Sequence, residues 1–151
     1  MAKVDATREA WQALLGAHNH LVHRVEESLA AAGLPPLPWH DVLSALDRAD
    51  GQALRPRDLG CHVAISKSGL TRLLDRIVDA GLVERRACDL DRRGHYVVLT
   101  DAGSEMLDRM RPVYDEELGT RFASRITEQE ASTLRKVLDR VGKTAPDEAA
   151  R

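Results

Sequence analysis

The sequence predicts a mainly helical chain carrying one small β-hairpin, and three features lead there. Apolar residues recur at three- and four-residue steps along most of the chain, which is the helical period. Glycine and proline punctuate that period at few places, Gly33 to Pro38 and Gly51 first among them. After Gly81 the pattern becomes that of strands, and from Asp101 it is helical again. At 151 residues, 43% hydrophobic and 30% charged, one compact domain with helical extensions is expected.

From Asp5 to Ala32 a long amphipathic helix is expected, with Trp11, Leu14, Leu15, Val22, Val25 and Leu29 on one face. Gly33 ends it, and Pro35, Pro36 and Pro38 keep helix from resuming at once. Pro38 opens a second helix with Trp39, Val42, Leu43 and Leu46 as its stripe, ending near Gly51. A short helix over 56–63 carries Leu59 and Val63, and Ala64 and Ile65 form a tight turn. Ser66 is an N-cap for a helix to Ala80, with Leu70, Leu73, Leu74 and Ile77 inward and Gly81 as its stop. Residues 82–88 and 96–99 form two strands joined by a loop from Asp89 to His95. Thr100 caps a helix to about Phe122, where Pro112 is expected to kink or divide it. Thr127 and Glu130 have capping-box spacing for a last helix bearing Ala131, Leu134, Leu138 and Val141.

Two short helices joined by so brief a turn make a helix-turn-helix, and the hairpin after it makes a wing. The class is therefore mainly α, an α+β winged helix-turn-helix with a two-stranded wing and long terminal helices. Four segments result: an N-terminal dimerisation helix over 1–34, a DNA-binding lobe over 35–100, C-terminal dimerisation helices over 101–143, and a frayed tail over 144–151. Aromatic residues make up only 3%, and the terminal helices are too long and apolar for a small lobe to cover. A homodimer buries that surface under two-fold symmetry.

Net charge is −2, yet residues 55–96 carry nine Lys/Arg against six Asp/Glu, leaving the remainder at −5. A basic middle on an acidic scaffold suits a local phosphate contact, since screening acts within about 10 Å. The only cysteines are Cys61 and Cys88, which fits a reducing cytoplasm better than a disulfide framework. No apolar run approaches the ~18 residues that span a bilayer, and the first residues lack an export signal's apolar core. No Gly-rich phosphate loop, HExxH or Gly-x-Ser-x-Gly occurs, so no enzyme and no cofactor are expected.

The middle of the chain resembles the MarR family of winged helix-turn-helix transcription regulators. Ser66–Arg76 is similar to its recognition helix, Ala80–Arg85 to the entry to its wing, Asp89–Gly94 to the wing tip, and Val98–Gly103 to the junction that follows. The likeness covers roughly residues 35–105, and beyond it the flanking helices agree in length and pattern. It implies a homodimeric regulator, a repressor of pseudo-palindromic double-stranded DNA, released by a small aromatic or lipophilic anion, a metal or an oxidant.

On the recognition helix, Lys67, Ser68 and Thr71 occupy the first turns, where short hydroxyl side chains reach base edges in a major groove. Ser66 caps those turns, Gly69 lets backbone approach DNA, Arg72 reaches a base or phosphate, and Arg76 joins the same surface or an ion pair. At the wing tip Asp91 holds Arg93 extended toward a minor groove, with Arg92 on a phosphate. The competing assignment for both groups is an ordinary solvated surface. By resemblance, Thr71 and Arg85 match effector-contacting positions, and Trp11 or Trp39 supplies a flat wall; alternatively both tryptophans are core and Arg85 pairs with an acid.

His18, His20 and His23 share a helix, but a metal site needs further ligands such as His40 or Glu26, and no spacing fixes one. Cys61 is expected to be a small buried residue, and Cys88, near Arg85, Arg86 and Arg92, is a candidate redox thiol. The alternatives to a ligand-released regulator are a winged-helix protein-interaction module without DNA binding and a redox- or metal-sensing variant.

Overall fold

The computed structural model describes residues 2–63, 65–88 and 91–142. The expected tail from Thr144, and Ala64, Asp89 and Leu90, lie outside them. The element order is α1 (Ala2–Ala31), α2 (Leu37–Asp47), β1 (Ala53–Leu54), α3 (Pro56–Leu59), α4 (Lys67–Asp79), β2 (Val83–Cys88), β3 (Asp91–Leu99), α5 (Asp101–Arg121) and α6 (Glu128–Gly142). One 3₁₀ turn precedes β1 and another follows α5.

The punctuation sits where the sequence places it. Gly33 and Gly81 have φ of +66° and +73° just past α1 and α4, the left-handed turn that releases a helix. Ser66 and Thr100 accept hydrogen bonds from the Gly69 and Gly103 amides at 3.1 and 3.0 Å. At α6 the capping box is complete: Thr127 N–H donates to Glu130 Oε2 at 2.8 Å, and Glu130 N–H donates to Thr127 Oγ1 at 3.2 Å.

Three elements depart from expectation. The third helix closes at Leu59 rather than Val63, because Gly60 begins a run of turn bonds, Cys61 N–H to Asp58 and His62 N–H to Leu59. Cys61 sits in that run and is exposed, not buried as expected. The second strand of the wing starts at Asp91, so residues 91–95 are strand and not loop. Their side chains show no apolar alternation because a ribbon in solvent is held by its backbone ladder, pairing Arg86 with Tyr96 and Ala87 with His95. Finally, α5 runs undivided through Pro112. That ring is exposed, so the one carbonyl it orphans, on exposed Asp108, faces water.

The sheet has three antiparallel strands in the order β1-β3-β2, with Ala53 opposite Val98 and Leu54 opposite Val97. A strand of two residues is too short to show alternation, which is why the sequence does not betray β1. The core gathers Leu29 of α1, Val42, Leu43 and Leu46 of α2, Leu59, Leu74 and Ile77 beneath α4, Val97 of β3, and Leu107 and Met110 of α5. All of these are almost fully buried, and none of the largest is aromatic.

The terminal helices bury little within one chain. Of the expected α1 stripe only Val25 and Leu29 are buried, while Trp11 is 55% exposed. Leu134, Val137 and Val141 of α6 are exposed as well. What α1 shares with α5 is anchored by polar groups. Ser28 Oγ donates to Glu117 at 2.7 Å, and Arg121 Nε donates to the same carboxylate at 2.6 Å. The Ser28 bond foremost, then the Arg121 bond, hold the Glu117 carboxyl below its usual range.

Candidate nucleic-acid interface

The N-terminal half of α4 presents an exposed polar face, because its apolar stripe is turned inward. Leu70, Leu73, Leu74 and Ile77 are buried, which leaves Lys67, Ser68, Thr71, Arg72 and Asp75 outward. At 100° per residue those five share one face of the helix. Thr71 Oγ1 donates back to the Lys67 carbonyl at 3.2 Å, and the Ser66 and Ser68 hydroxyls stand 3.4 Å apart. Ser66 itself is spent on the cap.

Gly69 has a structural reason that its sequence position did not reveal. A Cβ built there stands 2.7 Å from Ile65 Cγ1 and 3.0 Å from Ser66 Oγ. Its missing side chain lets the turn between α3 and α4 fold back onto the helix. The space is therefore used within the chain itself.

The two halves of the surface are tied together. Arg85 of β2 donates to Asp75 of α4 at 2.5 Å, fastening the wing to α4. The same contact neutralises Asp75, the acid nearest the N-terminal turns on the outward face of α4. Pairing with an acid was one of the two roles open to Arg85 from sequence, and Asp75 is that acid. Arg76 turns away from the outward face: its guanidinium carbon lies 5.8 Å from the Trp39 ring centre. At the other side of the sheet Arg55 stacks over Tyr96 at 5.5 Å, a cation–π contact that sequence reasoning missed.

The side chains of Asp91, Arg92 and Arg93 lie outside the described residues, as does the Cys88 thiol. Their backbone forms the distal end of β2 and β3, with the pairing shifted between Ala87 and Cys88.

The four expected effector residues do not share one place. Thr71 and Arg85 meet the same region of α4 through Asp75, one turn beyond Thr71. Trp39 is half-buried against Arg76, with a buried indole N–H that has no partner. Trp11 stands apart on α1, beside a shallow depression lined by Val4, Thr7 and Arg8.

A polar cavity of about 330 Å³ opens instead between α2, α5 and the turn after α3. Its wall includes His40 and Ser44 of α2, Arg48 just past its end, His62, and Arg111 and Tyr114 of α5. His40 is buried and stacked on Tyr114, with ring centres 4.2 Å apart and planes 19° from parallel. Burial, and then Asp41 and Asp115, push the Tyr114 hydroxyl above its ordinary value. Nothing in the sequence pattern joins residues 40–48 to 111–115, because only packing of α2 on α5 brings them together.

Two of the three histidines of α1 take separate partners: His18 faces Asn19 at 3.4 Å, and His23 meets Glu27 at 3.3 Å. Among the described residues no three His, Cys, Asp or Glu side chains gather as a metal site. Among them, too, no helix is long and apolar enough to cross a membrane.

The chain that carries this surface is similar to known proteins. The MarR family pattern fits residues 32–94, the span of α2 to β3. AbsC, a MarR family transcriptional regulator from Streptomyces coelicolor, superposes with a TM-score of 0.79 at 29% identity, covering 91% of this chain and 92% of its own. Residues 32–94 of this chain thus match the MarR family, and over most of its length the chain is similar in sequence and fold to a MarR family regulator. Sco3205, a MarR family regulator from the same organism solved in complex with DNA, gives a TM-score of 0.80 at 25% identity over 89% of this chain and 84% of its own. The transcriptional repressor MprA of Escherichia coli strain K12 is 28% identical over 108 residues, 70% of this chain. The chain matches 61% of the length of MprA.

Proposed function

We propose that this chain is a cytoplasmic, sequence-specific DNA-binding repressor that works as a homodimer and is not an enzyme. The observation that carries the proposal is the outward face of α4: Lys67, Ser68, Thr71 and Arg72 exposed together, with Asp75 neutralised by Arg85. Hydroxyls and an ammonium on the first turns of a helix suit base edges in a major groove. Arg72 reaches a base or a phosphate one turn on. Gly69, whose missing side chain makes room for Ile65, keeps the preceding turn packed on α4, and Arg76, leaning on Trp39, borders the surface. Arg93, braced by Asp91, enters the neighbouring minor groove, and Arg92 takes a phosphate. That Sco3205, similar in fold, was solved in complex with DNA supports the DNA-binding reading.

The dimer follows from the uncovered apolar faces of α1 and α6, where Trp11, Leu15, Leu134, Val137 and Val141 remain exposed. Residues 1–34 and 101–143 then form the dimerisation helices and residues 35–100 the DNA-binding lobe. Two copies of α4 set roughly 34 Å apart enter successive major grooves of a pseudo-palindrome. A small effector that favours another spacing of the lobes releases the DNA, and only that difference in affinity can drive release. Arg111 is where the two parts meet, since it bonds Asp47 at the end of α2 as well as Asp108 on its own helix.

Selection from a random duplex pool tests the reading. Enrichment of a pseudo-palindrome bound by one dimer, with binding lost in Arg93→Ala, is expected. Failure to enrich any sequence, with no binding at low salt, overturns it in favour of a winged-helix protein-interaction module.

A further inference from the structure

We propose that Thr71 of α4 recognises a thymine, and that it does so through its methyl group and not its hydroxyl. The proposal deepens the DNA-binding reading and rests on it. Thr71 is exposed, and it stands midway in the row Lys67, Thr71, Asp75, which runs along α4 at four-residue steps.

The hydroxyls at this end of the helix are not equivalent. Ser66 Oγ already accepts the Gly69 amide at 3.1 Å. Ser68 Oγ stands 3.4 Å from it, long for an O–H···O bond, so Ser68 keeps its donor for a base. Thr71 Oγ1 donates to the Lys67 carbonyl at 3.2 Å, one turn back along the helix. A β-branched side chain is stiff at χ1, so holding the oxygen against the backbone fixes the methyl as well. The proton that a base acceptor would need is spent, and the branch left to meet a partner is the methyl.

In a major groove the group that answers a methyl is the 5-methyl of thymine. Cytosine, the other pyrimidine, lacks it and presents an amino donor, which a free carboxylate would attract. Asp75, one turn on from Thr71, is not a free carboxylate, because Arg85 donates to it at 2.5 Å. The surroundings of Thr71 therefore favour thymine twice over: a methyl is offered to it, and Asp75 is not free to recruit cytosine. Bringing two methyls together removes apolar surface from water, which is worth about fourfold in affinity per half-site.

The test uses the duplex that the wild-type chain selects from a random pool. Each thymine is replaced in turn, in both half-sites, by deoxyuridine, which lacks only the methyl. Fluorescence anisotropy then gives the affinities of wild type, Thr71→Val and Thr71→Ser. One thymine per half-site is expected whose replacement weakens wild type roughly tenfold across the two half-sites. Thr71→Val, which keeps a methyl and loses the hydroxyl, is expected to bind within about twofold of wild type and to feel the same replacement. Thr71→Ser, which keeps the hydroxyl, is expected to lose as much as that replacement costs wild type and to be indifferent to it. Cytosine at the same position is expected to bind weakly, and 5-methylcytosine to recover part of the loss. The deoxyuridine effect is a difference within each variant, so a folding defect does not imitate it. Loss of binding in Thr71→Val with retention in Thr71→Ser, or a deoxyuridine effect that Thr71→Ser leaves intact, overturns the proposal while the repressor reading stands. So does a selected duplex in which wild type feels no thymine methyl. Failure to select any duplex removes the repressor reading and this proposal with it.

Discussion

Gly103→Ala should be among the most damaging single-methyl additions in the chain. Gly103 opens α5 directly on the turn between α4 and the wing. A Cβ there falls deep inside the van der Waals radius of the Leu82 carbonyl oxygen, and 2.7 Å from Leu99 Cδ1. The obstacle cannot swing aside, because it is backbone and is held on every side. Thr100 N–H donates to that carbonyl at 3.2 Å, Thr100 Oγ1 donates to Gly81 O at 2.8 Å, and the Gly103 amide donates back to Thr100 Oγ1. Relief therefore means moving the start of α5 and giving up part of its cap. Overpacking at ~1–3 kcal/mol and a weakened cap at ~1 kcal/mol sum to a loss of about 2–4 kcal/mol. For a chain of this size that is a fall in Tm of roughly 5–15 °C. Gly119→Ala in the same helix meets nothing within 4 Å and is the control. It should gain up to about 1 kcal/mol of helix propensity. Thermal unfolding followed by circular dichroism separates the two. A Gly103→Ala variant melting within about 2 °C of wild type would refute the steric argument.

Two further predictions concern the helical scaffold. Thr127→Ala removes the reciprocal cap of α6 and should cost about 1 kcal/mol by urea titration, with Thr127→Ser restoring most of it. The Glu117 carboxyl is held low by Ser28 and Arg121, so its stabilisation is present above the ordinary carboxylate range and is lost as pH falls through the lowered folded value. Acid should therefore loosen α1 from α5 in wild type, and Glu117→Gln should flatten that part of the stability–pH profile; an unchanged profile would count against the contact.

Much of the fold was legible because this chain signals its helix ends with unambiguous chemistry. Ser66, Thr100 and Thr127 cap where their spacing says they do, and Gly33 and Gly81 end helices where a positive φ is needed. What escaped was whatever depends on pairing rather than periodicity. The strand at Ala53–Leu54 exists only because β3 offers it an edge, and residues 91–95 extend β3 through backbone bonds that ignore side-chain pattern. Cys61 was expected to be buried within a helix over 56–63 and instead lies exposed on the turn that Gly60 opens. The outward face of α4 was visible from sequence because burial of its apolar stripe fixes it. The tie from Asp75 to Arg85, and the cavity joining Arg48 to Tyr114, required the packing of separate elements.

The central claim is that two copies of α4 and the wing grip DNA phosphates while reading its bases. The most direct measurement is fluorescence anisotropy on a pool-selected duplex across a salt series, for wild type and Arg92→Ala. With Arg72 and Arg92 counted from each protomer, about four phosphate contacts give a slope of log K on log salt near −3.5. Arg92→Ala, which removes two, should flatten the slope by about 2. Binding with little salt dependence, or a slope unmoved by Arg92→Ala, would contradict the account.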